Sequence, residues 1–372
     1  MKLSTTSREL LSQLQTAARV ASSRSAVQAL SGVQLDATAS GVELRATDLE
    51  VSLRVPLIAT VEREGSVVLP ARLLLDVARQ LPDGPVTLEL RAAEQDVEVV
   101  CKSSKFHIRT LRAEDFPPLP GRADGEGDQV VTMPAEAFVG TIGKVARSAS
   151  RDETRPILTG ILVSAAGDEL RMVATDSYRL SVKETKLAAP IETGFEANVP
   201  ARALQELERI VQASDASEIR IGLRENQVVF EVGATVLSSR LIDGQFPNYR
   251  QLLPDTYEHE LHVPGEELAG VVRRISLMAQ KNAPLRLAFT EGQLTVSAQT
   301  PDVGEASEPL PVPFSGEAFD IGFNPEFLRD GLESVESGDV VLKLISPLRP
   351  GLIEAGDGSG FLYLIMPIRL NV

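Results

Sequence analysis

The sequence has no tryptophan, one cysteine and three histidines, and aromatic residues make up only 4% of it. Each scarcity removes a class of function. Cys101 has no partner for an internal disulfide, which fits a reducing cytoplasm. His107, His259 and His262 leave little material for a metal centre. His259-x-x-His262 lies between Pro254 and Pro264 in an alternating stretch, where positions three apart point to opposite faces. A solvated strand pair is expected there, not a ligand pair. No apolar run approaches the roughly 18 residues that span a bilayer. The first residues, Met1-Lys2-Leu3-Ser4-Thr5-Thr6, lack the apolar core of a signal peptide, so no membrane association is expected.

The motifs of catalysis are missing too. There is no Gly-x-Gly-x-x-Gly, Gly-x-Ser-x-Gly or His-Glu-x-x-His, and no phosphate-binding loop ahead of a helix. Gly356-Asp357-Gly358-Ser359-Gly360 stands between strands and reads as a turn. Cys101 beside Lys102 reads as a structural strand thiol. Asp48, Asp176 and the Glu305/Glu308 group could serve as acids in a hydrolase, but carboxylates at strand ends usually cap or face water. No catalytic residue, cofactor or metal is therefore expected. A binding or assembly protein is.

What the chain does contain is repetition. Val68-Leu69-Pro70-Ala71-Arg72, Asn198-Val199-Pro200-Ala201-Arg202 and Gly322-Phe323-Asn324-Pro325-Glu326 each end an extended run at a proline and open an amphipathic helix. The prolines stand 130 and 125 residues apart, and a third of the chain is 124 residues. Thr47-Asp48, Thr175-Asp176 and Thr300-Pro301 keep the same step, as do Phe116-Pro117, Phe246-Pro247 and Met366-Pro367. Hydrophobic residues, 43% of the total, alternate along the intervening stretches, as in Val33, Leu35 and Ala37, Val42, Leu44 and Ala46, then Leu49, Val51 and Leu53. The expected fold class is α+β in three similar domains, 1–120, 129–250 and 251–372, each with two helices and two small antiparallel sheets. Helices are expected over 7–22, 71–81, 134–149, 200–212, 264–280 and 325–335, a glycine-rich linker over 121–128, and a hairpin turn at 165–168. The formal net charge is −15, which argues against holding nucleic acid by whole-surface attraction. The charge is uneven, however. The six helices are close to neutral and the remainder is strongly acidic.

With Thr47-Asp48-Leu49-Glu50, Val173-Ala174-Thr175-Asp176, Asp243-Gly244-Gln245-Phe246-Pro247-Asn248-Tyr249-Arg250 and Met366-Pro367-Ile368-Arg369-Leu370, the chain resembles the bacterial DNA polymerase III β subunit family, the replication sliding clamps, over its whole length. The resemblance implies a head-to-tail homodimer closed into a ring of six domains. Helices would line the hole and duplex DNA would thread it. Implied partners are the DNA polymerase III catalytic subunit, the clamp loader, and other polymerases, ligase and mismatch-repair proteins that bind through short linear motifs. Backbone-directed charges suffice for a contact that slides. The candidates are Arg24, Arg72, Arg79, Lys144, Arg147, Arg151, Arg202, Arg209, Arg273, Arg274 and Lys281.

The resemblance also places a partner-peptide pocket at Leu158, Thr175, Ser177, Tyr178, Arg179, Leu180, Pro247, Leu252, Leu348, Pro350, Leu364, Met366, Pro367, Ile368 and Arg369, with Arg179 and Arg369 as edge donors. It places a dimer joint at Phe106 and Ile108 opposite Leu277, with Arg91, Lys102 and Lys105 facing Asp302, Glu305 and Glu308. The sequence departs from the family pattern at Pro156-Ile157, where relatives carry an aromatic pair, at Ser177-Tyr178, and at the added Asn371-Val372. A monomeric three-domain interaction scaffold without DNA is the competing reading.

Overall fold

The computed structural model describes residues 1–22, 25–123, 129–280, 283–335 and 338–370. Among the described residues there are six α-helices: α1 (Ser7–Val20), α2 (Ala71–Gln80), α3 (Ala135–Val145), α4 (Ala201–Gln212), α5 (Gly265–Ile275) and α6 (Pro325–Ser334). They fall two to a repeat, as the periodicity requires. Two are shorter than expected, because α3 and α5 each tighten into a 3-10 turn, at Ala146–Ser148 and Ser276–Met278. The prolines work at two neighbouring positions. Pro70 and Pro264 are N-caps, whereas Pro325 is the first helical residue behind Asn324, whose side chain accepts from the N–H groups of Glu326 and Phe327.

The strands build four antiparallel sheets among the described residues. Each repeat contributes to two of them, and the inner contributions merge. One compact unit comprises Met1–Ala135 and Arg209–Leu241. It holds a five-stranded sheet in the order Thr60–Arg63, Lys2–Thr6, Pro85–Arg91, Asp96–Cys101, Ser104–Arg109. Its eight-stranded sheet joins strand Thr235–Arg240 of the second repeat to strand Val51–Leu57 of the first, with Ser238 opposite Ser52.

The other unit comprises Glu136–Glu208 and Ile242–Val372. Its six-stranded sheet joins Arg179–Pro200 of the second repeat to Phe361–Ile365 of the third, and continues through Gly351–Ala355, Asp339–Leu344 and His259–Pro264. Its four-stranded sheet runs Gly304–Pro311, Gln293–Thr300, Leu285–Thr290, Phe319–Phe323.

The cores are aliphatic, as the shortage of aromatics dictates. Val33, Leu35, Val42, Leu44, Val51 and Leu53 are buried by strand alternation, and Leu10, Leu14 and Ala17 of α1 by helical spacing. The third repeat is the exception, with Phe289, Phe314 and Phe319 clustered and His259 stacked on Phe319 at 5.3 Å. His259 is therefore ring-packed while His262 is exposed, so the two do not converge. The linker is anchored at its start. Ala123 N–H donates to the buried carboxylate of Glu231 at 2.6 Å and Arg122 pairs with the same carboxylate at 3.1 Å. Residues 124–128 lie outside the described residues. At the expected hairpin turn, register shifts interrupt the long strand Gly160–Thr175 between Ala165 and Glu169, and Gly167 takes a φ of 58°.

Candidate functional site

A five-residue turn, Thr175–Arg179, frames the site. Thr175 Oγ1 donates to the carbonyl of Arg179 at 2.7 Å and accepts from the N–H of Ser177 at 3.2 Å. Asp176 Oδ1 accepts from the N–H groups of Tyr178 and Arg179 at 2.9 and 3.0 Å. Ser177 is thereby held at a φ of 81°, a region that costs energy for a residue with a Cβ. The first repeat builds the same turn from Thr47–Val51 with matching bonds, and Leu49 takes a φ of 78°. Asp48 and Asp176 are thus turn acceptors. Leu49 is not on the buried strand face that alternation suggested. It sits at the turn tip and is 52% exposed.

Past the turn, Leu180 lies opposite Leu364, which lies opposite Leu352 on the next strand. With Val173, Val182, Phe246 and Tyr249 they form a small apolar cluster apart from the main core. The N–H of Met366 donates to the carbonyl of Tyr178 at 2.9 Å, bringing the chain end alongside the turn. The segment after it is tied down in turn, as Ile368 N–H donates to Gly322 O at 2.7 Å. A side chain at 322 would meet Ile368 O at 2.6 Å, so only glycine admits this approach.

The pocket residues divide by depth. Leu158, Thr175, Leu180 and Leu364 are buried; Pro350, Pro367 and Ile368 are half-buried; Ser177, Pro247 and Arg369 are exposed. Of the ten large hydrophobic side chains exposed among the described residues, four (Tyr178, Leu252, Leu348 and Met366) lie on segments that bear this cluster. That concentration is what an apolar socket for a peptide requires.

Arg179 is not an edge donor. It is buried, and its guanidinium donates to Asp176 Oδ2 at 3.0 Å, Asp330 Oδ2 at 2.6 Å and the carbonyl of Arg147 at 2.5 Å, with its carbon 4.4 Å from the centroid of the Phe327 ring. Strand, α6 and the 3-10 turn after α3 meet on this one side chain. Burial works against its charge, but Tyr363, Asp330 and Asp176 more than compensate and raise its pKa further. Burial likewise pushes the Tyr363 hydroxyl up, against the opposing pull of Arg179. That hydroxyl donates to Phe327 O at 2.8 Å.

The candidate DNA contacts also divide. Arg72, Arg151, Arg202, Arg209 and Arg273 are exposed. Arg79 is exposed but pairs with Asp76 at 3.1 Å. Lys144 donates to Ser334 O at 2.7 Å, and Arg147 pairs with Glu333 at 2.7 Å. Arg274 binds Glu308 through two bonds of 3.0 and 2.6 Å, which raise the arginine's pKa and lower the glutamate's. Arg274 and Glu308, expected on different surfaces, therefore share one. Arg24 and Lys281 lie outside the described residues.

Two unpaired sheet edges carry the candidate joint. Ser104–Arg109 ends the five-stranded sheet and Gly304–Pro311 ends the four-stranded one. The first edge bears Lys105, His107 and Arg109; the second bears Glu305 and Glu308. Leu277 is 72% exposed. Asp302 and Glu305 are exposed, as is Lys102, while Arg91 grips Asp96 at 2.8 and 2.7 Å and Lys105 pairs with Glu98 at 2.8 Å. Ile108 does not face a partner as expected: it shares the inner strand face with Phe106 and is 2% exposed, so only the half-buried Phe106 of that pair keeps apolar surface for a partner.

Three family models match in tandem: the N-terminal domain of the DNA polymerase III beta subunit at residues 1–120, its central domain at 132–248 and its C-terminal domain at 250–369. The chain belongs to the DNA polymerase III β subunit family. It is 33% identical over 366 residues to the beta sliding clamp of Streptomyces coelicolor, covering 95% of this chain and 96% of that protein. The DNA polymerase sliding clamp of Bacillus subtilis matches over the whole of both chains, with 28% identity and a TM-score of 0.90. A Pseudomonas aeruginosa sliding clamp solved bound to griselimycin also matches over the whole of both chains, with 29% identity and a TM-score of 0.89.

Sequence reasoning missed the α6 side of the site. Phe327, Asp330 and Tyr363 support Arg179 but lie about 150 to 185 positions from it. No signal in the sequence pointed to it, because Asp330 meets Arg179 only once strands of the second and third repeats have paired.

Proposed function

We propose that the chain acts as a sliding clamp. Two copies close head to tail about duplex DNA, the three modules 1–120, 129–250 and 251–372 of each supply the ring, and the ring tethers DNA polymerases without catalysing a reaction of its own. Agreement with beta sliding clamps across all three modules carries this reading. A topological tether needs little affinity, so an acidic chain with near-neutral helices is compatible with it. The candidate lysines and arginines of α2, α3, α4 and α5 and of the segment after α3, Arg147 and Arg151 included, are the proposed phosphate contacts, with Arg24 and Lys281.

The socket formed by Leu180, Leu364, Met366 and Tyr178 is the proposed docking site for short linear motifs of the DNA polymerase III catalytic subunit, the clamp loader, other polymerases, ligase and mismatch-repair proteins. Aliphatic and methionine side chains suit a socket that accepts several sequences. The basic edge Ser104–Arg109 and the acidic edge Gly304–Pro311 are the proposed joint. Each would gain the backbone partners it lacks, and opposite charges would fix a heterologous pairing. The cytoplasm is the proposed location.

Native mass measurement tests the assembly. A species of twice the 40.0 kDa chain is expected. A strictly monomeric chain at micromolar concentration would contradict the ring and favour the monomeric scaffold.

A further inference from the structure

Helix α6 is the anomaly among the helices assigned to the DNA-facing surface. It carries Glu326, Asp330 and Glu333 against a single Arg329. Two of these acids are aimed at basic residues. Glu333 Oε2 lies 2.7 Å from Arg147 Nη1 of the segment after α3, and its other oxygen lies 4.0 Å from Arg273 Nη2 of α5. Asp330 adds a second carboxylate 3.5 Å from Arg147 while holding Arg179. The Arg147 hydrogen bond holds the Glu333 carboxyl below its usual range, and Arg329 and Arg273 act in the same direction. Glu333 is partly exposed and Arg147 about half exposed, so the pair is open to exchange with an anion from solvent.

We propose that Glu333 is an internal phosphate mimic that occupies Arg147 and partly neutralises Arg273, and so limits how strongly the lining grips DNA. This rests on the reading of those arginines as phosphate contacts. A clamp that slides must exchange contacts quickly, and every guanidinium bound to phosphate releases counterions and adds to the grip. The carboxylate hydrogen-bonded to Arg147 makes a phosphate contact there a replacement instead of a net gain, and at 4.0 Å it offsets part of the charge of Arg273. The negative charge of α6, unexplained as a DNA-facing feature, then has a role.

The test is fluorescence anisotropy of a labelled duplex with the full chain, titrated across NaCl concentration. Glu333→Gln keeps the shape and removes the charge. Tighter binding at low salt is expected, with a slope of log K against log salt steeper by roughly 0.9 for each guanidinium that reaches phosphate. Glu326→Gln is the control, since it removes the same charge from an exposed position on α6 without releasing an arginine. The gain should be absent in Glu326→Gln and should vanish when Arg147→Ala and Arg273→Ala are added to Glu333→Gln. Equal gains from both glutamine variants would reduce the effect to net charge and overturn the proposal. So would an unchanged Glu333→Gln alongside a wild type whose binding falls with salt. Binding by neither the wild type nor Glu333→Gln at any salt would overturn the proposal, while the DNA reading itself is decided by retention on a circular duplex.

Discussion

Leu180 and Leu364 stand opposite each other on neighbouring strands from different repeats, in the register that also brings Met366 N–H to Tyr178 O at 2.9 Å. The other unit repeats this frame with different side chains. Ser52 stands opposite Ser238, and Arg240 N–H donates to Glu50 O at the same 2.9 Å. Backbone geometry is shared, but the lining is apolar in one copy and polar in the other. Among the described residues the duplication therefore supplies two such frames, one paired through leucines and the other through serines.

Replacing Tyr178→Glu together with Met366→Arg installs the polar pair of the other frame. Both positions are exposed, so the stability change should stay within about 0.5 kcal/mol. Affinity for a polymerase-derived motif peptide should fall roughly tenfold or more, as for loss of interface anchors. Isothermal titration with the double variant checks this, and unchanged affinity would remove the socket from this surface.

The Arg179–Asp330 pair should behave as a buried ion pair does. Asp330→Ala leaves the guanidinium without one of its partners, at a cost of about 3–5 kcal/mol in urea unfolding. Arg179→Met with Asp330→Leu removes both charges and should be less destabilising than Asp330→Ala alone. A double variant less stable than the single one would contradict this, and would show that Arg179 stabilises the fold through Asp176, Arg147 O and Phe327.

Tyr363 gives the fold an alkaline limit. Burial raises its pKa above the ordinary 10.0, so the unfolded chain ionises first as pH rises. The stabilising contribution is complete below the unfolded pKa and is lost progressively as pH climbs towards the higher folded one. Stability measured from pH 8 upward should therefore fall beyond about pH 10, and Tyr363→Phe should flatten that part of the curve at the cost of the hydrogen bond to Phe327 O.

Leu277→Asp places a charge on the most exposed apolar side chain of the acidic edge's module. The variant should keep its circular dichroism spectrum and sediment as a monomer at concentrations where the parent is dimeric. A variant that stays dimeric would move the joint elsewhere.

Much of this architecture was legible because it is periodic. Pro70, Pro200 and Pro325, and the paired Thr47-Asp48 and Thr175-Asp176, repeat with the modules, and alternation along Val33–Ala46 fixed which faces are buried. Leu49 broke the alternation because the Thr47–Val51 turn overrides it with five local hydrogen bonds. What could not be read was whatever depends on pairing between repeats. The merged sheets, the burial of Arg179 and its contact with Asp330 all follow from registers such as Arg179 opposite Ile365. Ile108 and Arg274 illustrate the same gap at the surface. The resemblance marked Ile108 for a partner chain and charge marked Arg274 for DNA, while their own chain had already taken up the one by packing and the other through Glu308.

The central claim is that the protein holds DNA by enclosing it. Retention on a nicked circular duplex, after assembly with a bacterial clamp loader and ATP, tests this most directly through gel filtration at high salt. The chain should co-elute with the circle and be lost once a restriction enzyme linearises it. Equal loss from circle and line, or retention on both, would contradict enclosure.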